Sequence, residues 1–432
     1  MAYYPDWTSE AFPPEKIDFN RLDWIDFAFA VPKQDFDLGW DGSEDAPMIL
    51  DRLVGAAHAK GKRVKVSVGG WTGSKYFSQA CSTPENRQIL ATNILAMYNR
   101  FDLDGIDIDW EYPGQRGDPQ NVVSPGDSDN FLAFLKTLRQ TLPPDAKITA
   151  ATMTVPFVDE DENPMGDVSA FAKVLDWILV MNYDSWGSSS NPGPNAPLND
   201  SCGNSTQSTA SALSAIEAWT TAGFPTSQIV LGVPSYGYLS RSTVTRLRTR
   251  GSDSVDESEQ APTQNEAYHP LVTASRATSR NRLLYDYPRT RLSRSFLELT
   301  ASNEDGGTDN GQIQFRQLVE EGILSYIPDS DVPEYNQTNM SASTRTFGGR
   351  QIRNMFTGNS GFTRYWDDCS NTPYLRSEKG RQVVSYDDPQ SLEMKAMFAN
   401  AAGLLGVNMF DIHGDTDHWD LTDAVRRGLD LV

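Results

Sequence analysis

Short apolar runs separated by stretches of helical periodicity constrain this chain more than any other feature. The runs fall at residues 2–4, 24–31, 63–68, 105–110, 147–154, 177–183, 229–234 and 404–410. Several are apolar almost throughout, as strands buried on both faces of a parallel sheet must be. Between them Phe131, Leu135, Leu138 and Leu142 recur at helical spacing after Ser128 and Asp129, and Leu50, Leu53, Val54 and Ala57 make a second stripe that ends at Gly61. Strands alternating with helices give βαβ units, and eight of them close into an α/β fold, the (β/α)8 TIM barrel. A length of 432 residues suggests about three domains at ~150 residues each, but barrels of this kind commonly fill ~250 residues as one unit. The gap between the seventh and eighth runs is too long for an ordinary connection. The expected architecture is therefore a barrel from 1–239 and 389–432, with a small α+β insertion domain at 240–388 between strands 7 and 8. Within the insertion, 312–321 reads as a helix and 362–369 and 383–386 as strands, while 391–402 reads as the last barrel helix. Residues 241–300 hold ten arginines and no lysine, which reads as a solvated surface.

The formal charge of −21 repels phosphate backbones and anionic lipid heads, so neither nucleic acid nor a membrane is an expected partner. Hydrophobic residues at 38% and aromatics at 10% separate the chain from disordered sequences, which combine high charge with few aromatics. No apolar run approaches the ~20 residues of a membrane span, and Met1-Ala2-Tyr3-Tyr4-Pro5 lacks the basic and apolar regions of a signal peptide. Asn199, Asn204, Asn336 and Asn339 each open an N-x-S/T sequon in polar, loop-like sequence, which points to a secreted, extracellular protein. Cys81, Cys202 and Cys369 have no metal spacing and allow at most one internal disulfide. His58, His269, His413 and His418 likewise suggest no metal site, and the last two read as surface loop. Neither cofactor nor metal is expected, and the chain is expected to act as a monomer.

The chemistry concentrates at Asp104-Gly105-Ile106-Asp107-Ile108-Asp109-Trp110-Glu111. With a strand's period of two, Asp107, Asp109 and Glu111 share one face while Ile106, Ile108 and Trp110 share the other. Carboxylates at that spacing repel, so one or more must hold a proton or find a partner. A cation site draws its oxygens from a flexible loop instead, and a solvated edge would not alternate with Ile, Ile and Trp. Coupled carboxylates supply an acid near neutral pH beside an ionised neighbour. Glu111, nearest the C-terminal mouth, is the expected general acid, Asp109 its charged helper and Asp107 the deepest member. Asp104 falls out of phase and reads as structural.

This octapeptide resembles the signature of glycoside hydrolase family 18, the chitinases. Ser67-Val68-Gly69-Gly70-Trp71, Met181-Asn182-Tyr183-Asp184 and Gly232-Val233-Pro234-Ser235-Tyr236-Gly237 resemble that family's third-, sixth- and seventh-strand motifs, in the same order. Tyr365-Trp366-Asp367-Asp368 and Val384-Ser385-Tyr386-Asp387-Asp388 are similar to its chitinase insertion domain, and Tyr3-Tyr4-Pro5-Asp6-Trp7 with the sequons resembles secreted fungal members.

The resemblance implies a retaining, substrate-assisted hydrolysis of β-1,4 linkages in chitin and chitooligosaccharides. Glu111 would protonate the glycosidic oxygen while the substrate's own acetamido carbonyl attacks the anomeric carbon, giving an oxazolinium ion. Asp109 would orient the acetamido N–H, Asp107 would tune Asp109, and Tyr183 would hold the acetamido oxygen. Asp184 and Met181 would contact the same sugar. Tyr3, Tyr4, Phe29, Trp71, Tyr112, Trp186 and Tyr236 are candidate platforms for sugar faces, although each also suits a core position. The chain departs from the family where strand eight usually carries a tryptophan: Phe410 stands there, so Trp366 or Trp419 is expected to supplement the floor. Ser67 is expected in a hydrogen-bond network beneath the carboxylates. The alternatives are a chitin-binding lectin on the same fold, which typically loses the acid that Glu111 provides, and an endo-β-N-acetylglucosaminidase acting on N-glycans.

Overall fold

The computed structural model describes residues 1–248, 299, 311–327 and 344–431. Eight parallel strands form its centre: Ala2–Pro5, Trp24–Pro32, Arg63–Gly69, Gly105–Asp109, Lys147–Thr152, Trp177–Met181, Ile229–Pro234 and Gly406–Phe410. Each pairs with its neighbours in chain order, and the first pairs with both the second and the eighth, so the sheet closes into a barrel. A short strand, Leu38–Trp40, adds antiparallel to the second. The strands occupy the expected stretches, but the fifth ends at Thr152 and the sixth at Met181. Tyr183 and Asp184 therefore lie beyond the strand, in the loops of the mouth.

Alternation along the strands sorts side chains between two cores. Ile106, Ile108 and Trp110 join Val64, Val66, Val68, Ile148 and Ala150 in a large cluster against the surrounding helices. Tyr3, Ala28, Ala151, Leu179 and Val230 point the other way, toward the barrel axis. The outer helices include Ala46–His58, Pro84–Phe101, Asp127–Thr141, Ala212–Thr221 and Pro389–Ala401. Pro84–Phe101 shows why such helices start and stop where they do. Thr83 Oγ1 accepts from the Asn86 N–H, proline occupies the first turn, and Asp102 ends the helix in the left-handed region at φ 52°.

Between the seventh and eighth barrel strands lies an antiparallel sheet in the order Gln312–Gln314, Tyr236–Arg241, Gln382–Ser385, Thr372–Ser377, Thr363–Asp367. The expected helix over 312–321 is corrected here: Gln312–Gln314 pairs as a strand with Tyr236–Tyr238, and only Phe315–Glu320 is helical. Tertiary pairing overrides the local period. Asp388 links this sheet to a barrel helix, capping Pro389–Ala401 through one oxygen and taking Arg364 on the other. Cys202 and Cys369 form a disulfide that ties the loop after the sixth barrel strand to a hairpin of this sheet, while Cys81 is free and buried. The arginine-rich segment lies outside the described residues from 249 onward, Leu299 excepted. Among the described residues no helix is long and apolar enough to cross a membrane. His413 is not surface loop: it is 7% exposed, packed on Phe12 in a turn after the eighth strand, and burial pushes its imidazole down to about 4. His418 is exposed, and no metal-holding cluster occurs among the described residues.

Candidate active site

The fourth strand carries Asp107 and Asp109 into the barrel axis, and Glu111 follows in the turn just past its end. Two glycines of the third-strand motif allow this strand end to sit close. A Cβ on Gly69 would lie 2.1 Å from the Asp109 carbonyl oxygen, and Gly70 donates its N–H to that same oxygen at 2.8 Å. Ser74 fixes the turn, accepting from the Glu111 N–H at 2.8 Å and donating to Gly70 O at 2.7 Å. Gly232 on the seventh strand serves Tyr183 in the same way, since a Cβ there would stand 3.1 Å from its ring.

Depth sorts the three carboxyls. Asp107 accepts from three hydroxyls: Tyr3 at 3.0 Å and Ser67 at 2.8 Å on Oδ2, and Thr149 at 2.5 Å on Oδ1. Asp109 is 3% exposed, and its Oδ1 has no hydrogen-bond partner among the described residues. Burial pushes it well above the carboxylate range, reinforced by the charges of Glu111 and Asp107. Glu111, 8% exposed, is pushed up to about 8 by burial, with Asp184 adding to the shift and a hydrogen bond with Tyr112 opposing it. A carboxyl that keeps its proton at neutral pH can act as a general acid.

Asp184 sits across the mouth in the left-handed region at φ 58°. Its Oδ1 accepts from Tyr236 at 2.7 Å and Tyr238 at 2.8 Å, and its N–H donates to Asn195 Oδ1 at 2.8 Å. Burial raises its carboxyl, against the pull of those two tyrosines. The Tyr183 hydroxyl is raised too, by burial first and the Asp109 charge second.

Phe29, Trp71, Tyr112, Met181, Tyr183 and Tyr236 gather with Tyr3 in one cluster around these carboxyls, and Trp7, Met153 and Phe410 border it. Phe410 packs 5.2 Å from Tyr3 and 6.1 Å from Tyr183, centroid to centroid. Four expected contributors are not part of this cluster. Tyr4 faces the helices, with its hydroxyl on Phe12 O at 2.8 Å and no exposed surface, so it belongs to the outer core and not to the mouth. Trp366 lies in the antiparallel sheet, with Arg345 and Arg364 at 4.9 and 5.4 Å from its ring centroid, and Trp419 packs on Phe12 in the outer core. Trp186 is buried beside Gly193 under Arg248. Tyr238, Asn195, Thr149, Ser74, Lys65 and Asp26 are additions that the three-dimensional arrangement brings to the site. Tyr238 alone had a sequence signal, standing two residues beyond Tyr236 on the same strand face.

The sequence model of the glycosyl hydrolases family 18 matches residues 1–415. A chitinase-like effector of Moniliophthora roreri is 34% identical over 99% of this chain and 92% of its own length. A chitinase-like effector of Moniliophthora perniciosa is 33% identical over 100% and 86%. Among solved structures, a chitinase from Rhizomucor miehei superposes with a TM-score of 0.73 at 30% identity, over 99% of this chain and 98% of that one.

Proposed function

The chain belongs to family 18 of the glycosyl hydrolases, and from that premise we propose that it hydrolyses the β-1,4 linkages of chitin with retention of the β anomer. The observation that carries the proposal is the row of three inward carboxyls whose outermost member, Glu111, is pushed up to about 8 by burial. Glu111 gives its proton to the glycosidic oxygen as the C1–O bond breaks. The acetamido carbonyl oxygen of the same sugar bonds to C1, and the negative charge that Asp107 and Asp109 hold between them stabilises the positive charge that develops on the resulting oxazolinium. Tyr183 donates its hydroxyl to the acetamido oxygen, and Asp184, held by Tyr236 and Tyr238, binds the sugar beside it. Water then opens the oxazolinium at C1, giving its proton back to Glu111. Asp107 acts through Asp109. Trp71, Tyr112, Tyr236, Phe29, Met181 and Phe410 form the apolar walls against which sugar faces stack.

We place the protein outside the cell as a monomer. The Cys202–Cys369 disulfide suits an oxidising compartment, and Asn199 and Asn204 lie in the loop that carries Cys202. Asn336 and Asn339 lie outside the described residues.

Relatives called chitinase-like effectors favour a second reading, a protein that binds chitin fragments without cutting them. Incubation with chitin separates the two. Soluble oligosaccharides whose first-formed anomer is β are expected; tight binding with no release would replace hydrolysis by the second reading.

A further inference from the structure

Lys65 and Asp26 are each 1% exposed inside the barrel, with Nζ 3.0 Å from Oδ1. Burial pushes the Asp26 carboxyl up against the pull of the Lys65 cation. Replacing such a pair by well-packed apolar side chains is often neutral or stabilising, so stability alone does not explain its presence. Its neighbours do. Lys65 Nζ donates to Thr149 Oγ1 at 2.9 Å, and Thr149 Oγ1 reaches Asp107 Oδ1 at 2.5 Å. An ammonium only donates, so Thr149 accepts from Lys65 and its single hydroxyl hydrogen is left for Asp107. The Trp177 ring lies 4.6 Å from the ammonium, and Asn408 Nδ2 donates to the other Asp26 oxygen at 2.6 Å. The direction of the two bonds from Lys65 through Thr149 to Asp107 is thereby fixed from below.

We propose that Lys65, acting through Thr149, is a positioning residue that keeps Asp107 an acceptor-only carboxylate, so that the protons of the acidic row stay on Asp109 and Glu111 at the mouth. The kinetic consequence rests on the chitinase reading above; the placement of the proton does not. Asp107 is faced by Tyr3, Ser67 and Thr149 from three other strands, and by the charges of Asp109 and Asp26. Lys65 is faced by Asp26, Thr149 and, at longer range, the Met1 amino group. When the Thr149 hydroxyl is removed, Asp107 loses a donor and becomes a place for a proton. The row then surrenders negative charge at higher pH, and a positively charged transition state above it loses stabilisation.

Thr149→Val cuts this link and leaves the Lys65–Asp26 pair in place, and Thr149→Ser restores the hydroxyl. The acid-side fall of kcat/KM on a chitin hexasaccharide should move up by about one pH unit in Thr149→Val, about tenfold at a fixed pH on that limb. KM should change by less than about twofold, as for a loss felt in the transition state alone. Thr149→Ser should return the parental profile. In protein labelled with carbon-13 aspartate, with Asp107 assigned through Asp107→Asn, the Asp107 carboxyl should show its protonated signal at higher pH in Thr149→Val than in the parent. A folded Thr149→Val with the parental acid limb and the parental Asp107 signal overturns the proposal. If the parent itself releases nothing from chitin, the chitinase reading fails while the Asp107 signal still decides this one. Should Thr149→Val not fold, Asp26→Asn/Lys65→Met removes the cation without leaving a lone charge, and the same two outcomes apply.

Discussion

Tyr3 and Tyr4 stand next to each other on the first barrel strand, and their hydroxyls serve opposite faces of its wall. Tyr3 turns to the axis and donates to Asp107, whereas Tyr4 turns to the helices and donates to Phe12 O. The same split runs around the barrel. Outward, beside Tyr4, stand Ile25, Phe27, Val64, Val66, Ile106, Ile108, Ile148 and Ile178, a mostly aliphatic layer. Inward stand Asp26, Lys65, Ser67, Asp107, Asp109 and Thr149, nearly as deeply buried but polar or charged. Apolar burial stabilises at about 25 cal/mol per Å2, while buried charge costs free energy unless it is paired. The outer layer therefore holds the fold together, and the inner layer is tolerated because each group has a partner or a task.

Substitutions on each face test this division, and the largest effect is expected on the inner face. Glu111→Gln should lower kcat by about a thousandfold. Its effect on stability should depend on pH. The folded carboxyl, near 8, binds its proton more tightly than the unfolded one, so the native protein loses stability as pH rises from about 4.5 to about 8. Calorimetry at about pH 8 should find Glu111→Gln melting a few degrees above the parent, with little difference near pH 5; a lower melting point at pH 8 would mean that Glu111 is paired and ionised. For the same reason the parent's rate should decline as pH passes about 8, where the acid is lost.

Tyr183→Phe removes one donor from the acetamido site and should reduce kcat by about a hundredfold with the fold intact. On the outer face Ile108→Ala should destabilise by about 3 kcal/mol in a urea titration, while the folded fraction keeps kcat within about twofold of the parent. A large kinetic defect there would show that the two faces are not separable. Tyr4→Phe is the mildest change: loss of the bond to Phe12 O should cost about 1 kcal/mol and leave the rate untouched.

The barrel was legible because buried parallel strands are apolar runs of fixed length, and the acidic row was legible because nothing but chemistry puts Asp, Asp and Glu on one face of Ile106, Ile108 and Trp110. What escaped were facts of parity and distance. On a strand buried on both sides two adjacent tyrosines look alike, so the sequence does not tell that Tyr3 faces the mouth and Tyr4 the helices. Lys65 and Asp26 lie 39 positions apart in sequence and meet only when the second and third strands pair, and Lys65 reads locally as a polar residue in a strand. Gln312–Gln314 carried a helical period that an unpaired sheet edge overruled.

In the proposed reaction this inner layer cuts a glycosidic bond with help from the substrate's own acetamido group. The rate on a chitin hexasaccharide, set beside the rate on its fully de-N-acetylated counterpart, tests it most directly. Cleavage of the acetylated sugar with no measurable cleavage of the other is the predicted result; comparable rates on both would assign the attack to an enzyme carboxylate, with Asp109 the first candidate, and contradict the account.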